Sequence, residues 1–138
     1  MAGRLVLADT THWIAFFGGG DAEARAAVAV LLATERLLTC SVVIAEVIRG
    51  FSVDTQAAFA IGVLRKCRYL STRREIAEKA GWLGRGGSIV RFAIPTSDLL
   101  IAATSIEERV PVLTSDPHFK RIAGCLVVSS RDVLRGKA

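Results

Sequence analysis

Apolar residues fall in short unbroken blocks separated by longer amphipathic stretches, the pattern of buried strands alternating with surface helices. Arg4 to Ala8 (RLVLA) is the first block, with Asp9 and Thr10 following as a helix-opening cap. An apolar helical turn, His12 to Phe17, runs into Gly18, Gly19 and Gly20, which predict a loop. Asp21 then caps a helix from Ala22 to about Ala33. Leu37 to Cys40 predicts a second strand, Ser41 an N-cap, and Val42 to Gly50 a helix carrying Glu46 in its interior. Another helix is expected from Asp54 to about Cys67, then a short strand at Arg68 to Leu70. Ser71 to about Phe92 has helical character, but Gly81, Gly84, Gly86 and Gly87 predict two helices with a bend or loop between them. Pro95 stops that segment, Thr96 or Ser97 caps the next, and Leu99 to Glu108 forms a helix with Asp98 in its first turn. Val110 to Leu113 is a strand, Ser115-Asp116-Pro117 opens a short helix through Ile122, and Cys125 to Val128 is a final strand before a polar tail.

This alternation predicts a three-layer α/β/α sandwich around a mainly parallel sheet, in one domain spanning 1–138. Such sheets bind ligands beyond the carboxyl ends of their strands. Asp9 and Asp116 each follow a predicted strand directly. Asp98 opens a helix that would pack on the sheet, and Glu46 lies one turn into a helix starting from the same rim. Taken singly, Asp9, Asp98 and Asp116 are also good helix-opening residues. Glu46 stands within VVIAEVI, where a buried carboxylate without a cation or hydrogen bonds would be costly, unless one helix face is open to water. Crowded carboxylates repel one another and raise their own pKa values, so an oxygen-seeking cation, Mg2+ or Mn2+, is the natural compensation. Such an ion activates water and neutralises a phosphodiester without a protein nucleophile.

Composition narrows the field further. With 51% apolar residues the chain has ample material for a core, and its longest apolar stretch, Ala26 to Ala33, is far below the roughly 20 residues a bilayer requires. A soluble, cytoplasmic protein with no membrane partner is expected. Cys40, Cys67 and Cys125 stand apart without zinc-ligand spacing and are expected to be reduced core residues. The formal charge of +5 favours a polyanionic partner, and basic residues concentrate between Arg65 and Arg91. There Arg85 and Arg91 are candidate RNA contacts beside an acidic metal site, although a solvated helical face accounts for the same charges.

The chain has no GxSxG, HExxH, GxxxxGK[ST] or strand-borne GxGxxG motif. His12 and His118 leave open a metal-free acid/base ribonuclease, but both are expected to be inert surface residues, on a helix flank and in a loop opening. Trp13, Phe16 and Phe17 are expected in the core rather than as a base-stacking platform. A non-catalytic RNA- or protein-binding module would use the acids only as caps. A phosphoacceptor receiver domain would need a lysine near the acids, and Lys66, Lys79, Lys120 and Lys137 are badly placed for that.

The segments LVLADTTHWI, SVVIAEVIRG, IPTSDLLIAATS and VLTSDPHFKRIA, in this order and at these separations, resemble the PIN-domain family, in particular VapC-type toxins of prokaryotic toxin–antitoxin pairs. The resemblance covers nearly the whole chain. It implies a Mg2+- or Mn2+-dependent endoribonuclease with Asp9, Asp98 and Asp116 as main metal ligands, Glu46 as a ligand directly or through water, and Thr10, Thr11 and Thr114 orienting ligands or water. The family often has Asp-x-Asp-Phe where this chain has Asp116-Pro117-His118-Phe119, which weakens the case for a second metal and leaves His118 free to touch phosphate or water. The resemblance further implies a homodimer, a VapB-type antitoxin covering the acidic pocket, and tRNA or rRNA as substrate.

Overall fold

The computed structural model describes residues 3–138. Its centre is a parallel sheet of five short strands, β1 (Val6–Ala8), β2 (Leu37–Cys40), β3 (Arg68–Leu70), β4 (Val112–Leu113) and β5 (Val127–Val128), in the order β3-β2-β1-β4-β5. Central strands of a parallel sheet are covered on both faces and need continuous apolar sequence. Val6, Leu7 and Ala8 of β1 and Val112 and Leu113 of β4 are accordingly fully buried, whereas Arg68 and Tyr69 on edge strand β3 are exposed.

The chain leaves β1 for β2 and β3 on one side, then crosses back to β4 and β5 on the other. With right-handed crossovers, this reversal sends the helices that lead into β2 and β3 to one face and those that lead into β4 to the other, opens a crevice at the carboxyl ends of β1 and β4, and leaves α8, which follows β5, packed on α2. The first half carries α1 (Thr10–Gly18), α2 (Ala22–Ala33), α3 (Ser41–Arg49) and α4 (Asp54–Leu64). The second carries α5 (Arg74–Leu83), α6 (Gly87–Arg91), α7 (Thr96–Glu108), a 3-10 helix (Pro117–Arg121) and α8 (Ser130–Leu134). The closest helix packing joins α1 to α2, α2 to α8, and α5 to α7. No helix among the described residues is long and apolar enough to cross a membrane.

Several boundaries differ from expectation for identifiable reasons. Helix α3 begins at Ser41 itself, with Cys40 at its N-cap, and the Ser41 hydroxyl instead bonds Tyr69 Oη and the Thr72 amide. Helix α4 stops at Leu64, three residues early. Pro95, rather than Thr96 or Ser97, is the N-cap of α7. The strand expected from Val110 is reduced to Val112–Leu113 and the last strand to Val127–Val128, because pairing is limited to the register of β1. The expected polar tail contains α8, closed by a capping box in which Ser129 and Asp132 exchange hydrogen bonds. The glycine-rich segment does break into α5 and α6. A Cβ on Gly84 would stand 2.8 Å from Leu99 Cδ1, so the bare backbone there lets the end of α5 sit against α7.

The aromatic residues of α1 belong to the core, as expected. Trp13 is fully buried and stacks on Phe17 at 5.8 Å between centroids, and Phe17 meets Phe51 and Phe59 edge-on. The three cysteines are free; Cys40 is buried, and burial pushes the partly buried Cys67 thiol up to about 11.

Because Leu113 is fully buried between β1 and β5, Leu113→Ala is expected to cost about 2–5 kcal/mol. Urea denaturation should show a lower midpoint at an unchanged slope. A loss below about 1 kcal/mol would contradict so tight a sheet centre.

Candidate metal centre at the sheet crevice

The ladder sets Asp9 beside Thr114. The Asp9 amide donates to Leu113 O at 3.1 Å and the Thr114 amide to Val128 O at 3.2 Å, so the residues leaving β1 and β4 are held in register. Asp9 is the N-cap of α1 and is only 3% exposed. Its Oδ1 accepts from Thr11 Oγ1 at 2.8 Å, the His12 amide at 3.0 Å and His12 Nδ1 at 3.1 Å. Its Oδ2 accepts from Thr114 Oγ1 at 2.6 Å. Thr114 Oγ1 in turn accepts from the Asp116 amide at 3.0 Å, joining the two acids through one hydroxyl. Burial alone would raise the Asp9 carboxyl, but hydrogen bonds from the His12 ring, Thr114 and the His12 amide outweigh it and hold the group below its ordinary value.

Asp116 caps the 3-10 helix through the His118 amide at 2.9 Å, and His118 Nδ1 lies 3.6 Å from Asp116 Oδ1. Glu46 is half-buried on α3, and Thr10 Oγ1 donates to its Oε1 at 2.7 Å. Asp98 sits half-buried in the first turn of α7, and among the described residues no side-chain hydrogen bond reaches it. Desolvation, then the charges of Asp116, Glu46 and Asp9, push its carboxyl up to about 6, with His118 acting weakly in the other direction.

All four expected acids thus share one electrostatic neighbourhood, but not equally. Asp98, Asp116 and His118 each offer a ligand atom within 4.8 Å of the others, whereas Asp9 and Glu46 lie outside that compact group. Among the described residues no lysine or arginine forms an ion pair with any of the four acids, and His118 Nδ1 is buried without a hydrogen-bond partner. Uncompensated carboxylates and an orphaned imidazole nitrogen form a donor set that fits a divalent cation. Lys120 lines a small pocket with Asp116, closer than sequence suggested, yet makes no ion pair with it.

Thr11 and Thr114 both touch Asp9, and Thr10 touches Glu46. His118 is half-buried in the 3-10 helix rather than on the surface of a loop opening. The other correction concerns His12, which is 2% exposed and hydrogen-bonded at both ring nitrogens, not on an open helix flank. Arg85 and Arg91 stand outside the acidic cluster, each beside an aromatic ring: Arg85 lies 4.6 Å from the centroid of exposed Trp82, and Arg91 lies 5.6 Å from that of Phe92. Arg121, from the 3-10 helix that bears His118, covers Phe92 at 3.7 Å and was not singled out from sequence. No local signal marks Arg121, because Phe92, the ring it covers, is distant in the sequence.

A family model described as PIN domain matches residues 6–124. No curated protein matches the sequence significantly. Among solved structures, a chain of VapBC2 from Rickettsia felis, bound to a DNA fragment from its promoter, is similar with a TM-score of 0.74 at 18% identity, covering 91% of this chain and 98% of that one. A toxin–antitoxin complex from Klebsiella pneumoniae gives 0.72 at 23% identity, covering 91% and 97%. The Sarcin-Ricin loop cleaving toxin VapC20 from Mycobacterium tuberculosis gives 0.68 at 18%, covering 86% and 95%. At these identities the likeness establishes the shared fold.

A carboxyl whose pKa is raised on folding, here from 3.8 to about 6, binds its proton more tightly in the folded state. Its ionisation therefore weakens the fold as pH rises across that interval, and the full effect is present above it. Metal-free Asp98→Asn is expected to melt higher than the wild type at pH 7.5, with the gap closing towards pH 4. Mn2+ should raise the melting temperature of the wild type but not of the variant. A variant that melts lower than wild type at pH 7.5 would contradict this account of the site.

Proposed function

The chain belongs to the PIN-domain family, and on that basis we propose that it is a divalent-metal-dependent endoribonuclease, the toxin of a VapBC-type toxin–antitoxin pair. The observation that carries the proposal is the acidic cluster at the crevice, free of lysine or arginine partners among the described residues, with Asp98 held at about 6. Asp9, Asp98 and Asp116 would hold Mg2+ or Mn2+, with Glu46 a ligand directly or through water and His118 close enough to add a nitrogen. When bound, such an ion neutralises a phosphodiester and lowers the pKa of water.

The remaining groups position these ligands. Thr114 ties Asp9 to Asp116, Thr11 fixes the other oxygen of Asp9, and Thr10 holds Glu46. Arg85 and Arg91 would contact the RNA backbone, with exposed Trp82 offering a face for an unstacked base. The substrate we favour is tRNA or rRNA; the support is the fold shared with a toxin described as cleaving the sarcin-ricin loop. An antitoxin partner of the VapB type is supported by the fold shared with chains from toxin–antitoxin complexes. We further infer a cytoplasmic homodimer acting as a single domain over 1–138.

The test is cleavage of total cellular RNA by purified, antitoxin-free protein with Mg2+, Mn2+ or EDTA, alongside Asp9→Asn and Asp116→Asn. Discrete fragments that need metal and vanish in both variants are expected. Cutting that survives EDTA would favour the histidine mechanism, and RNA binding without cutting would favour the non-catalytic module.

RNA affinity gives a separate check. In an Asp116→Asn background, Arg85→Ala with Arg91→Ala should weaken binding and reduce the salt slope by about 1.4, the amount for two contacts to a single strand. An unchanged slope would remove these arginines from the interface.

A further inference from the structure

The His12 ring is buried in the crevice wall between two partners that are far apart in sequence. Its Nδ1 lies 3.1 Å from Asp9 Oδ1 and its Nε2 lies 2.8 Å from Ser130 Oγ, in the first turn of α8. An ionised carboxylate can only accept, so Nδ1 carries the proton towards Asp9. On the far side of the ring, Nε2 and the Ser130 hydroxyl share the second hydrogen bond.

The donors are unevenly shared between the two Asp9 oxygens. Oδ1 receives three: Thr11 Oγ1, the His12 amide and His12 Nδ1. Oδ2 receives one, from Thr114 Oγ1. A carboxylate oxygen has about two lone-pair sites, so Oδ1 is saturated while Oδ2 retains capacity. Of the donors to Oδ1, the ring is borne on a side chain held from another element, α8, much as Thr114 on Oδ2 is held by the Asp116 amide.

We propose that His12 is a positioning residue for the metal centre: held by Ser130, it commits Asp9 Oδ1 to hydrogen bonding and leaves Oδ2 as the oxygen that takes the cation. This rests on the metal-dependent reading above and extends it to a relay from α8 through the His12 ring to a metal ligand. His12 touches neither substrate nor cation and acts only through Asp9. Partners that orient a ligating group from behind change metal affinity by about 10–100-fold when removed.

Two amides dissect the ring. Asn places an N–H where His12 Nδ1 stands but cannot reach Ser130; Gln reaches the Nε2 position but offers nothing at Nδ1. Mn2+ affinity, from the free-ion signal in electron paramagnetic resonance, would be measured for wild type, His12→Asn, His12→Gln, Ser130→Ala and the double variant His12→Asn/Ser130→Ala, with melting temperatures for each. His12→Gln is expected to weaken Mn2+ binding about tenfold or more, and His12→Asn to restore most of that loss. Ser130→Ala should weaken binding in the wild-type background but have no effect on top of His12→Asn, a coupling that mere loss of packing would not produce. Equal affinities for the Asn and Gln variants, or an additive effect of Ser130→Ala, would overturn the relay while leaving the metal centre intact. Should His12→Gln fail to fold, the Ser130→Ala pair decides the matter alone. Absence of Mn2+ binding by the wild type would overturn the metal-dependent reading, and the relay with it.

Discussion

The Asp9 carboxylate is the point through which fold and chemistry are joined. Its backbone extends the ladder to β4, its Oδ1 caps α1, and its Oδ2 accepts from the Thr114 hydroxyl that also receives the Asp116 amide. Capping and metal ligation are usually weighed as rival explanations of an acid that opens a helix. In the centre proposed above they would divide between the two oxygens of one group. The capping bonds also keep the buried carboxylate ionised, the state a cation requires.

Asp98 shows the opposite balance. It has the weakest hydrogen-bond support of the four acids and carries the accumulated repulsion of the other three. A sequence optimised for stability alone would not gather these charges at one rim and leave them, among the described residues, without a lysine or arginine partner. The stress is local, because the core beneath the crevice is made of fully buried apolar residues from β1, β4 and α7. That rigid floor lets the acids stay close without collapsing together or swinging into solvent.

Much of this arrangement was legible from the chain itself. Strands came from short apolar blocks, and their alternation with helices set the parallel topology, from which the rim shared by Asp9 and Asp116 follows. The four acids were accessible because three of them combine helix-opening positions with strand ends and the fourth interrupts an apolar run. What escaped was whatever depends on distant pairing. Nothing local marks His12 as buried, since it stands between exposed Thr11 and fully buried Trp13 and its partner Ser130 lies 118 residues away. Helix α8 was hidden for the related reason that five residues give too little periodicity to distinguish from a tail. The short lengths of β4 and β5 reflect pairing register, which no single strand encodes.

The separation of the partners that build the crevice has a temporal consequence. Thr114 reaches Asp9 across 105 residues, and Ser130 reaches His12 across 118. On a ribosome, β1 emerges first yet is completed as a central strand only when β4 arrives, after nearly all the helices have been made. Such non-local pairing is slow to form and is among the last events of folding. The acidic centre is therefore assembled late: Asp9, Glu46 and Asp98 stay apart at least until β4 and Asp116 have been made. For a protein whose proposed activity would turn on the machinery that makes it, that order of assembly delays the hazard until β4 has been made and paired with β1.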